Sequence, residues 1–325
     1  DLVKELIGTH AIECDLKQGV LHVASKARHA KGMQAAIDYK HTVLGYGGID
    51  YLTAEKVADM LGTERFHGGE YWTDAVHLHP LNYALGLAAA AHKAGVSIYE
   101  NSRVSGYRTG KQTGNQGLVN TAKGRVNARY ILLACNGYLG KLEPRIASKI
   151  MPINNYILAT EPLSDEMCQT LNPYDVAVAD SRFVINYFKL SADKRLLWGG
   201  GENYSAKFPA DIGAFVRPHM LAVYPQLKEV KIDYGWGGTL AITLNRMPCF
   251  ARLEDNLFVA QGYSGHGIAL ATLGGKLMAQ AISGSAEKFD MFAKVPTVNF
   301  PGGTLLRWPG LVAGMLYYSL RDRLW

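Results

Sequence analysis

Residues 256–275 read NLFVAQGYSGHGIALATLGG: an apolar run, a glycine-rich turn, then helical spacing that continues through IALATLGGKLMAQAI to Gly284. A strand that feeds a helix through glycines is an α/β signature. The N-terminus of such a helix carries about half a positive charge and free backbone N–H groups, which suit an anion or an electron-rich carbonyl. The glycines stand at 262, 265 and 267, a Gly-x-x-Gly-x-Gly pattern. This is not the dinucleotide fingerprint Gly-x-Gly-x-x-Gly, which occurs nowhere in the chain. Taken alone, the pattern is equally well explained as a tight structural turn.

Working outward, the preceding segments alternate between sheet and helix. GVLHVA at 19–24 alternates as a strand, and LTAEKVADMLG is a short helix begun by Thr53 and stopped by Gly62. Pro80 opens a second helix with an apolar face of Leu81, Ala84, Leu85, Ala88 and Ala91, stopped by Gly95 and followed by VSIYE as a strand. Turn signals at KQTGNQG and AKGR mark a β-rich section that leads to the buried strand YILLAC, ended by Asn136-Gly137. Residues 152–233 carry longer strands, NNYILATEPL, RFVINYFKLS and RLLWGGG, with one helix near DIGAFVRPHMLAVYP. These read as an antiparallel sheet with a covering helix. The expected class is mixed α/β and α+β: a discontinuous layered domain wrapped around an inserted antiparallel-sheet domain. The expected boundaries are 1–150 and 234–290 for the first domain, interleaved with strands of the second near 19–70. The second domain takes 151–233, and 291–325 form a tail and helix.

The 325 residues are 48% hydrophobic and 19% charged, enough apolar material for a large core. No run of about 18 apolar residues and no signal-peptide pattern occurs, so a cytoplasmic location is the default expectation. Cys14, Cys135, Cys168 and Cys249 are scattered, without the spacing of a disulfide framework or zinc site. The net charge of +6 is spread along the chain and not gathered into a stripe, which argues against nucleic acid as a partner. In the tail, Arg307, Arg321 and Arg323 flank an apolar helical pattern. Packing on its own domain is favoured there over contact with a membrane surface.

Other motifs are weak. His77 and His79 in HLHP share one side of a strand, but no third ligand lies at telling spacing, so no metal is expected. GYSGHG does not match Gly-x-Ser-x-Gly, which argues against a serine hydrolase. The glycines of LLWGGG admit either close approach of a ligand or a bulged strand. The chain opens in mid-helix with Leu2, Val3, Leu6 and Ile7.

Together, HPLNYALGLAAAAHKAGVSIYENSRV, YILLACNGY, YFKLSADKRLLWGGG, WGGTLAITLNRMPCF and the quoted turn, in this order, resemble the flavin-dependent D-amino-acid oxidase, glycine oxidase and sarcosine oxidase superfamily. The tail NFPGGTLLRWPGLVAGMLYYSLRDRL resembles its gamma-glutamylputrescine oxidase branch. In that family a Rossmann βαβ unit with the dinucleotide fingerprint precedes the point where this sequence opens. The expectation is therefore a piece lacking roughly a hundred N-terminal residues.

The resemblance implies FAD as a noncovalent cofactor. It implies that Gly262, Tyr263, Ser264, Gly265, His266, Gly267 and Ile268 form the turn facing the pyrimidine edge of the flavin ring. Val104 would touch the adenine through its backbone, and Asn136 and Gly137 would pass the phosphate-ribose region. Glycine oxidase-like members carry a carboxylate-clamping arginine where this chain has Leu240, sarcosine oxidase-like members a flavin-linking cysteine at Gly238, and an oxygen-assisting lysine near Leu197. An amine without an adjacent carboxylate is then the expected substrate, oxidised by hydride transfer to an imine that hydrolyses, with oxygen or another electron acceptor. Tyr187, Lys189 and Trp236 are the candidate walls of the substrate cavity, and no catalytic general base is assigned. The alternative is a non-catalytic binding or assembly module, motivated by the absent fingerprint.

Overall fold

Thr53 and Gly62 bracket a helix as their chemistry requires. The Thr53 hydroxyl accepts from the Lys56 N–H at 3.4 Å, and Gly62 closes the helix with φ +57°. The computed structural model describes the backbone of residues 1–114, 116–201 and 207–324, and their side chains through 314.

In chain order the elements begin with α1 (Leu2–His10), β1 (Lys17–Val23), α2 (Ala27–Leu44), β2 (Ile49–Leu52), α3 (Ala54–Leu61), β3 (Gly69–His77) and α4 (Pro80–Lys93). There follow β4 (Val104–Arg108), α5 (Gly110–Thr113), β5 (Gly117–Thr121), β6 (Arg125–Ala128), β7 (Ile131–Leu133), α6 (Pro144–Ala147), β8 (Met151–Thr160) and α7 (Asp165–Leu171). Next come β9 (Ala177–Asp180), β10 (Tyr187–Leu190), β11 (Leu196–Gly199), α8 (Ile212–Leu221) and β12 (Ile232–Ile242). The chain finishes with β13 (Cys249–Glu254), β14 (Leu257–Gln261), α9 (Gly267–Ile282), α10 (Glu287–Ala293) and α11 (Gly303–Leu324).

Packing divides the chain into two units. The first comprises Asp1–Ile12, Ala84–Ile153 and Thr239–Met315; the second is built on Glu13–Tyr83 and Asn154–Gly238.

The second unit is organised by an eight-stranded sheet in the order β12-β8-β11-β10-β9-β1-β3-β2. It is mixed, not purely antiparallel: β1 runs parallel to β9, while β3, β10 and β11 pair antiparallel with their neighbours. Because side chains alternate across a strand, Leu21, Val23, Val178, Phe188 and Trp198 share one face. Val57 and Leu61 of α3 and Val216 and Met220 of α8 join them in one core cluster. Phe188 stacks on Trp198 with ring centroids 4.4 Å apart. The fully buried Tyr224 satisfies its hydroxyl by donating to the Leu61 and Leu171 carbonyls at 2.9 and 3.0 Å. His22, Glu70, Trp72, Tyr187 and Lys189 therefore project from the opposite face.

The first unit holds two three-stranded sheets, β13-β14-β7 and β4-β5-β6. β14 lies between an antiparallel β13 and a parallel β7. One of its faces packs Phe258 and Ala260 against Leu277 and Met278 of α9 and Phe289 of α10. The other packs Leu257 and Val259 with Ile131, Leu133 and Ile146. A strand buried on both faces reads as the continuous apolar run seen in the sequence.

Several expectations need correction here. VSIYE is extended but not a strand, and Val96, Ile98 and Tyr99 are exposed; a strand exists only through a ladder partner, and none of the described residues supplies one. The expected apolar face of α4 is also turned outward, with Leu81 and Leu85 exposed and Tyr83 buried. Gly86 packs closely on Ile12, where a Cβ would lie 2.3 Å from that side chain. RFVINYFKLS is a strand only over its second half, β10. In KQTGNQG the first part forms α5, and Asn115 lies outside the described residues. In the tail, Arg307 donates to the Ala147 and Ile150 carbonyls, the latter at 2.8 Å, which ties the first part of α11 to the first unit. The side chains of Arg321 and Arg323 lie outside the described residues. Among the described residues, no helix is long and apolar enough to cross a membrane.

Candidate functional site

At the end of β14 the chain enters left-handed backbone at Gly262 (φ +79°), Ser264 (φ +51°) and Gly265 (φ +96°). A Cβ at Gly262 would lie 2.8 Å from the Thr243 methyl, so both conformation and space call for glycine. Ser264 holds its unfavourable conformation because its hydrogen bonds over-determine it. Its N–H donates to the Ala241 carbonyl at 3.0 Å, and its hydroxyl accepts from the Thr243 N–H at 3.2 Å and donates to the Gly262 carbonyl at 3.3 Å.

α9 then starts without a side-chain cap, since the His266 side chain makes no hydrogen bond to the first turn. Gly265, His266 and Ile268 are exposed, and a Cβ on Gly265 or Gly267 would meet nothing within 4 Å. The result is an exposed helix N-terminus whose first-turn amides take no side-chain cap.

Asn136 and Gly137 come to the same place. Asn136, itself left-handed at φ +45°, accepts from the Gly262 N–H at 3.2 Å through Oδ1. Gly137 lies directly on β12: a Cβ there would be 2.3 Å from the Thr239 carbonyl oxygen and 2.9 Å from that of Leu240. The Tyr138 hydroxyl accepts from the Thr239 N–H at 3.0 Å. The end of β7, the end of β12 and the turn after β14 thus form one backbone-lined corner.

Comparison with known proteins shows the family. The family described as FAD dependent oxidoreductase matches residues 1–281. The chain belongs to this DAO family of FAD-dependent oxidoreductases. It is 40% identical to gamma-glutamylputrescine oxidoreductase of Escherichia coli (strain K12), over 100% of this chain and 75% of that protein. It is 37% identical to the probable oxidoreductase OrdL of Haemophilus influenzae, over 99% of this chain and 74% of that one. Among solved structures, glycine oxidase from Geobacillus kaustophilus superposes with a TM-score of 0.77 at 20% identity, covering 93% of this chain and 80% of that one, so the fold is shared. As a member of the DAO family the chain is an oxidoreductase whose cofactor is FAD.

The remaining candidate residues of this family member are distributed differently. Val104 sits on the β4-β5-β6 sheet, paired with Thr121, and is not drawn into the corner. In the second unit, Tyr187 lies across Gly199, where a Cβ would be 2.0 Å from its ring, and donates its hydroxyl to Asn155 Oδ1. That close packing accounts for the first glycine of LLWGGG, and burial pushes the Tyr187 phenol up to about 12. Lys189 Nζ donates to the Leu78 carbonyl at 3.1 Å, and its strand partner is Leu197. Burial lowers the Lys189 ammonium from its ordinary value. Trp236 is 42% exposed on β12. Of the two histidines of HLHP, His77 is bonded through Nε2 to the Asp175 carbonyl at 2.9 Å, and His79 Nδ1 accepts from the Asn82 N–H at the start of α4. No group of three metal-ligating side chains occurs among the described residues.

Two polar clusters escaped the sequence reading. In the first unit, Glu143 is buried and receives Arg145 Nε at 2.9 Å, Arg145 Nη2 at 2.8 Å, the Arg145 N–H at 2.9 Å and the Tyr107 hydroxyl. Arg145 also reaches Glu254 at 3.2 Å. In the second unit, Lys40, Glu70 and Trp72 come together although 30 residues of chain separate the lysine from the carboxylate. The Glu143–Arg145 pair is local, but Tyr107, Glu254 and Lys40 reach their partners only through the fold, so neither cluster has a linear motif.

Proposed function

We propose that the chain oxidises the carbon–nitrogen bond of an amine that has no carboxylate on the adjacent carbon, of the gamma-glutamylputrescine kind, with noncovalently held FAD. The observation that supports this most is Leu240: an apolar residue stands on β12 where glycine oxidase-like relatives place their carboxylate clamp, and its carbonyl lines the corner beside Gly137. A free α-amino acid loses a bidentate anchor there. The name of the 40% identical relative points to the same class of substrate. That identity spans the whole chain, so the non-catalytic module is not favoured.

The corner fits one end of FAD. Its open glycines leave room for a flat ring edge, and its uncapped amides offer donors to electron-rich carbonyls. Gly238 supplies no thiol for a covalent link. Bound FAD supplies the hydride acceptor. The residues from Gly262 to Ile268 would hold the pyrimidine edge of the ring, and the α9 N-terminus would favour negative charge there by about 2–4 kcal/mol. Asn136 and Gly137 flank the phosphate-ribose region, and Val104 offers its backbone to the adenine. Tyr187, Lys189 and Trp236 wall the substrate cavity and keep water from the amine, which favours its unprotonated form.

Anaerobic mixing of the FAD-loaded protein with amines tests the reading. Gamma-glutamylputrescine or N-acetylputrescine should bleach the flavin absorbance, and glycine and D-alanine at equal concentration should not. Bleaching by the amino acids alone would overturn it.

A further inference from the structure

Glu70 stands in the middle of β3 and is only 8% exposed. A buried carboxylate ordinarily takes direct hydrogen bonds. Here Oε2 lies 3.8 Å from Lys40 Nζ and 4.0 Å from His22 Nδ1, both beyond hydrogen-bonding distance. The same Lys40 ammonium sits 4.5 Å from the centroid of the Trp72 ring. Tyr46 and His22 approach that indole at 5.8 and 6.0 Å, and Tyr46 is held by its bond to Asp74 Oδ1 at 2.7 Å. Trp72 Nε1 is buried and has no acceptor among the described residues. The arrangement is a carboxylate and an aromatic wall around an ammonium ion, loosely closed.

The ammonium comes from a helix with little hold on the sheet. α2 buries only Ala30 and Ile37 along 18 residues, so Lys40 can swing to water without repacking a core. A ligand that presents the same –NH₃⁺ group would replace it with no change of charge. Glu70 and Trp72 also share their sheet face with Tyr187 and Lys189, across three inter-strand steps, about 14 Å. That span matches an extended molecule with nitrogen at both ends.

We propose that Glu70 and Trp72 form a subsite for a second, protonated amino group on an extended amine substrate, and that Lys40 occupies the subsite when no such group is bound. The proposal rests on the amine-oxidising reading given above. It assigns specificity to residues outside the flavin corner: the carboxylate supplies charge, the indole face supplies cation–π attraction, and Lys40 acts as the competitor.

Titration calorimetry of the FAD-loaded protein with 1,10-diaminodecane, whose extended length matches that span, tests it, using wild type, Lys40→Met and Glu70→Gln. Lys40→Met, on an exposed helix, should bind the diamine about tenfold more tightly than wild type, and Glu70→Gln about tenfold more weakly. Equal binding by wild type and Lys40→Met would overturn the subsite, whatever the flavin does. Binding in the expected order without bleaching by any amine would leave the subsite standing and overturn the amine-oxidation reading.

Discussion

Arg145→Ala should unfold with about 3 kcal/mol less free energy than wild type at pH 7, because it strips a buried carboxylate of its counter-charge. Glu143 is 4% exposed, and Arg145 gives it two side-chain hydrogen bonds as well as a backbone one. The expected loss sits at the low end of the range for broken buried pairs. Two donors, the backbone N–H at position 145 and the Tyr107 hydroxyl, survive the substitution, and the guanidinium itself is half exposed. The pH dependence gives a sharper signature. Burial by itself would raise the Glu143 carboxyl, but the bonds from Arg145 and Tyr107 outweigh it and hold the group at about 2, below its ordinary 4.5. A group depressed on folding stabilises above its unfolded value, and that contribution is lost as pH falls from 4.5 toward 2. The deficit of Arg145→Ala should therefore be full in urea melts at pH 7 and shrink at pH 3. A deficit under about 1 kcal/mol, or one equal at both pH values, would contradict this account.

Gly137→Val should cost about 3 kcal/mol and weaken FAD retention at least about tenfold. The clash is of backbone on backbone: a Cβ would lie 2.3 Å from the Thr239 oxygen and 2.7 Å from its carbonyl carbon, with no flexible side chain to yield. Relief requires moving the 136–138 turn away from β12, which pulls Asn136 Oδ1 off the Gly262 N–H. Stability and cofactor retention should fall together. Gly275→Ala in α9 is the control, because nothing lies within 4 Å of a Cβ there; it should gain about 0.5–1 kcal/mol from helix propensity and keep its FAD. Retention of FAD by Gly137→Val at the wild-type level would remove this turn from the cofactor site.

What the sequence made legible was contiguous. β14, the glycine turn and α9 carry their own strand, breaker and helix signals within about 25 residues, and the Thr53 and Gly62 caps are local chemistry. VSIYE failed because strand formation is decided by a partner. The face of α4 failed because the side it buries carries Tyr83 and the close approach of Gly86 to Ile12, which the leucine pattern does not mark. The joining of β1, β2 and β3 to the strands of residues 151–242, with β1 parallel to β9, is a matter of long-range pairing. The resemblance set Asn136 and Gly137 at the phosphate-ribose region, apart from the turn, and no sequence signal announced the hydrogen bond that joins Asn136 to Gly262. Glu70 and Trp72 lie two residues apart on β3, an ordinary alternation in sequence; only Lys40 above them gives the pair a chemical meaning.

We propose that the N-terminus of α9 faces the flavin ring and stabilises the charge the ring acquires on reduction. The two-electron midpoint potential of the bound flavin in His266→Asp tests it most directly. Aspartate is a favourable N-cap, so the helix is not weakened, yet its carboxylate takes up first-turn amides and sets negative charge at that end. The account predicts a potential about 30–60 mV more negative than wild type, equivalent to about 1.4–3 kcal/mol. A potential unchanged within about 5 mV, with FAD fully bound, would contradict it.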